Sequence, residues 1–273
     1  MNKHILLKTN KEFNMKKEVI YVGHRGTKLG VGVENTKEAY VEAAKLGYKA
    51  LETDIRVTLD KVYIAQHDNS LTRLTKNSKV KTDVVVEGSY YKDLKDLELT
   101  EITRGTLRKG RVCLFDEYLD VCKEYNCIPV IELKWTNGIY SDNDSYDPLT
   151  DKFTRGNYSN LDGLIQKVYE HGLENEAYIM TSMMGCLLYV KENYPNIKLQ
   201  WLCNARVKEF MEYAGKKGIH LDVEYNAVDD EVMACAKKYN QLVNIWTLDD
   251  ESLLQKYLDL GVDMITTNWI KPR

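Results

Sequence analysis

The chain has 273 residues, 44% hydrophobic and 29% charged, enough to bury a sizeable core as one large α/β domain or two small ones. Its 38 basic and 41 acidic side chains interleave to a net charge of −3, so no broad positive field exists to attract nucleic acid or anionic lipid. An anionic ligand must therefore be held by local charge.

Residues 1–14 fit no element, and 1–17 read as an N-terminal extension to a single domain over 18–273. Within them Ile5–Leu7 is too short an apolar run for the core of a secretory signal. Nowhere does the chain approach the ~20 apolar residues of a membrane span. The expectation is a cytoplasmic protein without stable membrane association. Six cysteines without a CxxC pair read as reduced, buried small hydrophobes rather than a zinc site.

Val19–Val22 has the character of a short buried strand. After Glu34-Asn35-Thr36, residues Ala39, Ala43, Ala44 and Leu46 form one face of a helix. The second strand, Ala50–Arg56, carries Glu52 and Asp54 two residues apart, so both carboxylates project from one face while Leu51, Thr53 and Ile55 take the other. Two buried carboxylates sharing a face repel and lose hydration unless a cation compensates them. Thr58–Lys61 reads as a turn and Val62–Ala65 as a returning antiparallel strand. Pairing Val57 with Val62 sets His67 opposite Glu52; a register one residue off turns it away.

Residues 69–111 are polar and form an excursion in which Val84–Val86 is the only strand-like piece. Leu114–Tyr125 is helical and Ile128–Leu133 a buried strand. A polar segment over 135–160 has the length of a lid or binding loop. Regular alternation follows, with strands at Ala177–Met180, Lys198–Cys203, Leu221–Tyr225, Leu242–Trp246 and Asp263–Thr266. The helices are Leu161–His171, Gly185–Asn193, Val207–Lys217, Asp230–Tyr239 and Glu251–Leu260. Eight strands joined by helices predict a TIM (β/α)8 barrel, with a small excursion between the second strand and second helix. The chain ends too soon after the last strand for a full eighth helix.

Active sites of such barrels sit at the C-terminal ends of the strands. There His24, the Glu52/Asp54 pair, Glu132, Lys134, Ser182 and Trp246 converge. Taken singly each has a plain structural reading: His24 a buried imidazole bonded to backbone, Glu132 and Lys134 a simple pair, Trp246 a core aromatic. Their convergence favours a site. Three carboxylates without a cysteine make a hard, oxygen-rich set suited to Mg²⁺ or Ca²⁺. The glycines at 23, 26, 30 and 32 form no nucleotide-binding loop and serve tight turns above the site.

The ordered run His24-Arg25-Gly26, Glu34-Asn35-Thr36, Glu52-Thr53-Asp54 and His67-Asp68 with Leu71, Arg73 and Thr75 resembles the glycerophosphodiester phosphodiesterase family. Ile131-Glu132-Leu133-Lys134, Ile245-Trp246-Thr247 and Gly261-Val262-Asp263 extend the likeness over most of the chain. The resemblance implies Glu52, Asp54 and Glu132 as metal ligands and His24 and His67 as general acid and base. Arg25 and Lys134 supply cations for the phosphoryl oxygens, and Trp246 offers an apolar wall. It implies a small glycerophosphodiester as substrate, cleaved to glycerol 3-phosphate and an alcohol. The neighbouring hydroxyl of the substrate attacks phosphorus, and a cyclic phosphate is then hydrolysed. Two other readings share the scaffold: a lysophospholipase D-type activity on lysolipids, and a non-catalytic phosphodiester-binding barrel. Tyr140, Tyr146 and Tyr158 are candidates for contact with the alcohol. Val33, Asn268 and Ser182-Met183-Met184 depart from the family's usual proline, aspartate and Ser-Phe.

Overall fold

A computed structural model describes residues 18–134, 146–147, 152–153 and 158–273. Eight parallel strands form a closed ring: β1 (Ile20–Gly23), β2 (Ala50–Val57), β3 (Ile128–Leu133), β4 (Tyr178–Thr181), β5 (Lys198–Cys203), β6 (His220–Glu224), β7 (Val243–Trp246) and β8 (Met264–Thr267). Each pairs with the next, and β8 returns to β1 with Ile20 opposite Met264 and Gly23 opposite Thr267. The expected TIM barrel is therefore present.

Besides two one-turn helices in the excursion, Thr72–Thr75 and Tyr91–Leu94, seven barrel helices follow the first seven strands among the described residues: α1 (Lys37–Lys45), α2 (Phe115–Tyr125), α3 (Ser159–Glu170), α4 (Met184–Asn193), α5 (Val207–Lys216), α6 (Asp230–Lys238) and α7 (Leu254–Leu260). Among the described residues none follows β8, as the sequence implied. Local chemistry sets the helix starts: Thr36 caps α1 by accepting from the Ala39 N–H, and Asp229 caps α6 by accepting from Val232 at 3.0 Å.

The alternation of β2 organises the core. Leu51 and Ile55 face outward into the main apolar layer between ring and helices, with Ile131, Tyr118 and Leu164. Thr53, on the same side, meets the Tyr40 hydroxyl of α1 at 2.6 Å. Ala50, Glu52 and Asp54 face the lumen, whose lower layer is a small apolar plug containing Val22, Ala50, Val130, Met180 and Met264. Burying the outward layer stabilises the ring, and it leaves the inward positions near the strand ends free for chemistry. All six cysteines are buried and free.

The excursion differs from expectation. Val84–Val86 is not a strand; Val86–Gly88 forms one 3₁₀ turn, and Val85 makes a single bridge to Ser70. The real strands are Glu98–Thr103 and Thr106–Arg111, a hairpin closed by Arg104-Gly105, both at positive φ. That two-residue turn has the geometry whose twist matches a hairpin. Its strands are mostly Glu, Thr, Lys and Arg, with Leu99, Ile102 and Leu107 out of any period-two pattern, so no apolar alternation announced them. The excursion closes over a core of its own, with Leu71, Leu74, Val86, Leu94 and Leu99 packed on Val33 and Ile64. Apolar packing there is what Val33, in place of proline, provides.

The first hairpin is also shifted by one residue. Val57 pairs with Tyr63, not Val62, and Ile55 with Ala65. Thr58 takes Val62 as its partner: its N–H donates to the Val62 carbonyl at 3.0 Å, and its hydroxyl accepts from the Val62 N–H at 3.1 Å. Lys61, at φ +64°, completes a three-residue loop. The predicted loop over 135–160 lies largely outside the described residues; within it Tyr146–Asp147 pairs with Lys152–Phe153. Tyr140 is outside them, and no side chain is described at Tyr146. Tyr158 is buried in the main core against Tyr189, with ring centroids 4.7 Å apart, which removes it from the candidates for substrate contact.

Candidate active site

At the C-terminal mouth of the ring lies a cavity of about 240 Å³ whose walls include His24, Arg25, Glu52, His67, Glu132, Lys134 and Trp246. Asp54 lies just beneath, fully buried. One oxygen each of Glu52, Asp54 and Glu132 lies within 4.8 Å of the others. All eight residues expected at the site are thus brought together. Ser182 is not; it is exposed and does not line the cavity.

Two positive groups thread the acidic cluster. The Arg25 backbone N–H donates to Glu52 Oε2 at 2.8 Å, while its guanidinium meets Asp54 Oδ2 at 3.0 Å and Glu34 Oε1 at 3.1 Å. Arg25 can present its main chain this way because it sits at φ +53° in the turn after β1. Gly26 follows at φ +90°, where an added Cβ would meet the Ala39 backbone at 2.6 Å, so the loop rests directly on α1. Lys134 Nζ lies 2.5 Å from Glu132 Oε1 and 3.4 Å from Asp54 Oδ1.

The carboxylates divide electrostatically. Burial and then the Asp54 charge push Glu52 well above the usual carboxylate range. Glu132 is raised to about 7 by burial and by Asp54. Burial also opposes ionisation of Asp54, but Arg25 and Lys134 outweigh it and hold that carboxyl low, helped by the Asn35 side-chain amide at 2.8 Å. Glu52 Oε1 is buried and accepts no hydrogen bond. An orphaned carboxylate oxygen beside two more carboxylates, with no sulfur donor in the group, fits a hard divalent cation. Such a cation would compensate the charge that Arg25 and Lys134 only partly balance.

The two imidazoles are held differently. His24 Nδ1 is 2.9 Å from Asn268 Oδ1, and Asn268 in turn donates from its Nδ2 and its backbone N–H to Asp249, each at 2.7 Å. An amide oxygen accepts, so Nδ1 carries the proton and Nε2, 4.0 Å from Glu52, is the free base. Burial, and next the Arg25 charge, push His24 down to about 4. His67 Nδ1 is 2.7 Å from Asp68 Oδ1, and Asp68 Oδ2 accepts from Arg73, which also forks onto Glu34. Burial lowers His67 too, against the pull of Asp54 and Asp68.

His67 reaches the mouth by a route the sequence did not reveal. Pairing beyond Ala65 stops after the Gln66 N–H reaches the Asp54 carbonyl at 2.9 Å. The chain then turns, and Arg56 donates to the His67 carbonyl from Nε at 2.9 Å and Nη2 at 2.6 Å. Arg56 is itself paired with Glu87 of the excursion at 2.6 Å.

The opposite wall comes from β4 to β8: Met180, Leu202, Asp222, Trp246, Thr247 and Thr266. Trp246 is half-buried, its indole N–H donating to the Asp222 carbonyl at 3.2 Å, so it is both anchored and facing the cavity. Asp222 went unnoticed in the sequence. The signal was available: between outward Leu221 and Val223, a charged residue has to face the lumen.

The profile of the glycerophosphoryl diester phosphodiesterase family matches residues 24–271. The chain is 24% identical to a Bacillus altitudinis glycerophosphodiester phosphodiesterase, over 90% of this chain and 93% of that protein. It is 24% identical to a glycerophosphodiester phosphodiesterase of Arabidopsis thaliana over 86% of this chain, and the matched region spans 66% of the plant protein. The fold is that of an Oleispira antarctica phosphodiesterase solved in complex with the product sn-glycerol-3-phosphate, with a TM-score of 0.72 and 18% identity over 92% of this chain and 93% of that one. With a family match reaching from His24 at the mouth of β1 to the residues beyond β8, the chain belongs to the glycerophosphoryl diester phosphodiesterase family.

Proposed function

We propose that this chain is a divalent-metal-dependent phosphodiesterase that cleaves glycerophosphodiesters to glycerol 3-phosphate and an alcohol. One observation carries the proposal: three carboxylates within 4.8 Å of one another share a cavity with two imidazoles, a guanidinium and an ammonium. Family membership supports the reaction class. A pure binder needs no pair of proton-transfer groups, and no feature of the site favours that reading.

Glu52, Asp54 and Glu132 would hold the metal, Mg²⁺ or Ca²⁺, whose contribution is to withdraw charge from the phosphoryl oxygens. Arg25 and Lys134 add fixed positive charge at the same mouth, where negative charge develops. His24, neutral and proton-bearing on Nδ1, is suited to take the proton of the substrate's neighbouring hydroxyl at Nε2 as that oxygen attacks phosphorus. His67, whose Nδ1 is held by the Asp68 carboxylate, would give a proton to the departing alcohol oxygen. Water then opens the cyclic phosphate, with the proton path reversed.

The test is turnover of a panel of glycerophosphodiesters and lysolipids by wild type and His67→Ala, with added Mg²⁺ or Ca²⁺ and with excess EDTA. Expected are hydrolysis of soluble glycerophosphodiesters, its loss in EDTA, and a fall in kcat of about 10²- to 10⁴-fold for His67→Ala. Full activity in EDTA overturns the metal assignment. Cleavage of lysolipids alone overturns the substrate class.

A further inference from the structure

We infer that Asp222, in the cavity wall, and Asn244, behind it on the neighbouring strand, form a hydroxyl-recognising subsite that takes the terminal hydroxyl of the substrate's glycerol. This inference rests on the glycerophosphodiester reading above.

Asp222 is 1% exposed and lines the cavity, yet its Oδ1 accepts no hydrogen bond. Asn244 is its register partner on β7, so the two side chains leave adjacent parallel strands on the same, lumen-facing side. Asn244 Oδ1 accepts from the Thr266 hydroxyl at 3.2 Å, and Thr266 also lines the cavity. Asn244 Nδ2, fully buried, donates to nothing. An unmet acceptor in the cavity wall and an unmet donor at the register position on the next strand thus share the lumen face without bonding each other. Leaving both buried and unpaired is costly, and native interiors rarely do so without a guest.

A hydroxyl satisfies both, donating to Asp222 and accepting from Asn244. A primary ammonium would satisfy Asp222 but leave the Asn244 N–H unmet, and a quaternary ammonium donates nothing. The subsite therefore fits a polyol end rather than an amino-alcohol head group. Around it the wall combines the apolar Met180 and Leu202 with Thr247 and Thr266, so Asp222 is, among the described residues, the one charged-type side chain on that side of the cavity. Trp246, anchored on the Asp222 carbonyl, lines the same cavity. In glycerol phosphate the hydroxyl next to the phosphoester is committed to the reaction. The far one is free to be recognised.

The experiment compares binding of sn-glycerol 3-phosphate with propane-1,2-diol 1-phosphate, which keeps the phosphate and the neighbouring hydroxyl but lacks the terminal one. Calorimetry on the Mg²⁺-saturated full chain gives the ratio of affinities. A site built around a hydroxyl rejects an analogue lacking it, so wild type should prefer glycerol phosphate by about tenfold or more. Asp222→Leu, of similar volume, should weaken glycerol phosphate and leave propanediol phosphate within about twofold, removing the preference. Should that variant not fold, Asp222→Ala removes the same acceptor and carries the same expectation. Equal affinities in wild type, or equal weakening of both ligands by the variant, overturns the subsite. Turnover is read separately: wild type that hydrolyses no glycerophosphodiester but shows the preference overturns the activity, whereas hydrolysis without the preference overturns the subsite alone.

Discussion

His24 and Asn268 lie 244 residues apart in sequence, and their side chains meet at 2.9 Å across the seam where β8 closes onto β1. The amide oxygen of Asn268 decides which ring nitrogen of His24 bears the proton. Asn268→Ala removes that choice without touching the carboxylate cluster. The expected outcome is a fall in kcat of about 10- to 100-fold with KM nearly unchanged, the scale usual for losing a histidine's supporting partner. Steady-state kinetics check it, and a variant with wild-type kcat would mean that the imidazole is oriented by other contacts.

The depressed proton affinity of His24 makes stability depend on pH. The folded value is about 4 against an ordinary 6.5, so between those limits the unfolded chain binds the extra proton and folding opposes it. The contribution is full above pH 6.5 and is lost as pH falls to about 4. Its size is on the order of 3 kcal/mol for one group shifted this far. Raised Glu132 works in the opposite direction, so the measurement is the difference between metal-free wild type and a metal-free His24 variant, in which the Glu132 contribution cancels. In urea unfolding at pH 4.5, 5.5 and 7, the stability of wild type relative to His24→Gln should rise with pH. Identical slopes in the two proteins would refute the assignment.

Lys134 tests charge stabilisation against simple pairing, since its ammonium contacts both Glu132 and Asp54. Lys134→Met keeps the packing of the stem and removes the charge. If the ammonium meets the phosphoryl group, kcat/KM should drop by on the order of 3 kcal/mol, about 100-fold, while metal affinity holds level or rises. Near-wild-type turnover in metal-saturated Lys134→Met would leave the residue only a counter-charge, and the metal-free variant would then unfold at lower temperature.

Arg56 is expected to matter although it lines no part of the cavity. Its fork on the His67 carbonyl places the segment that carries the imidazole. Arg56→Leu should lower kcat about tenfold or more with little change in KM, because misplacing a proton-transfer group costs rate before it costs binding. Arg56→Lys should not restore the rate, since a single ammonium cannot reproduce a two-nitrogen fork. A rise in KM at constant kcat would show instead that the segment contacts substrate.

The barrel was legible because its signals are local and repeated. Buried strands such as Ile128–Leu133 alternate with helices whose apolar stripes are plain in sequence, and Glu52 and Asp54 share a face by strand geometry alone. Placing His67 was harder. Its predicted register depended on where a turn closes, and Lys61 in the left-handed region adds a residue that no apolar pattern marks. The cross-strand argument thus named a residue of the site through an incorrect pairing, since His67 arrives by a turn held by Arg56. Long-range partners such as Asn268 for His24, or Asp222 beside Asn244, depend on ring closure and strand order, which no single stretch of sequence contains.

The cavity wall has a division along the chain. Every group expected to carry charge or protons in the reaction lies between His24 and Lys134, on the arc of β1 to β3 braced by the excursion. The facing arc, Met180 to Thr266, contributes apolar side chains, Asp222 and hydroxyls. Substrate preference and reaction chemistry therefore occupy separate stretches of sequence. Divergence in the second stretch can retune which molecule is accepted while the first runs the same proton transfers, so in directed evolution toward new diesters the productive changes should fall at positions 180, 202, 222 and 246.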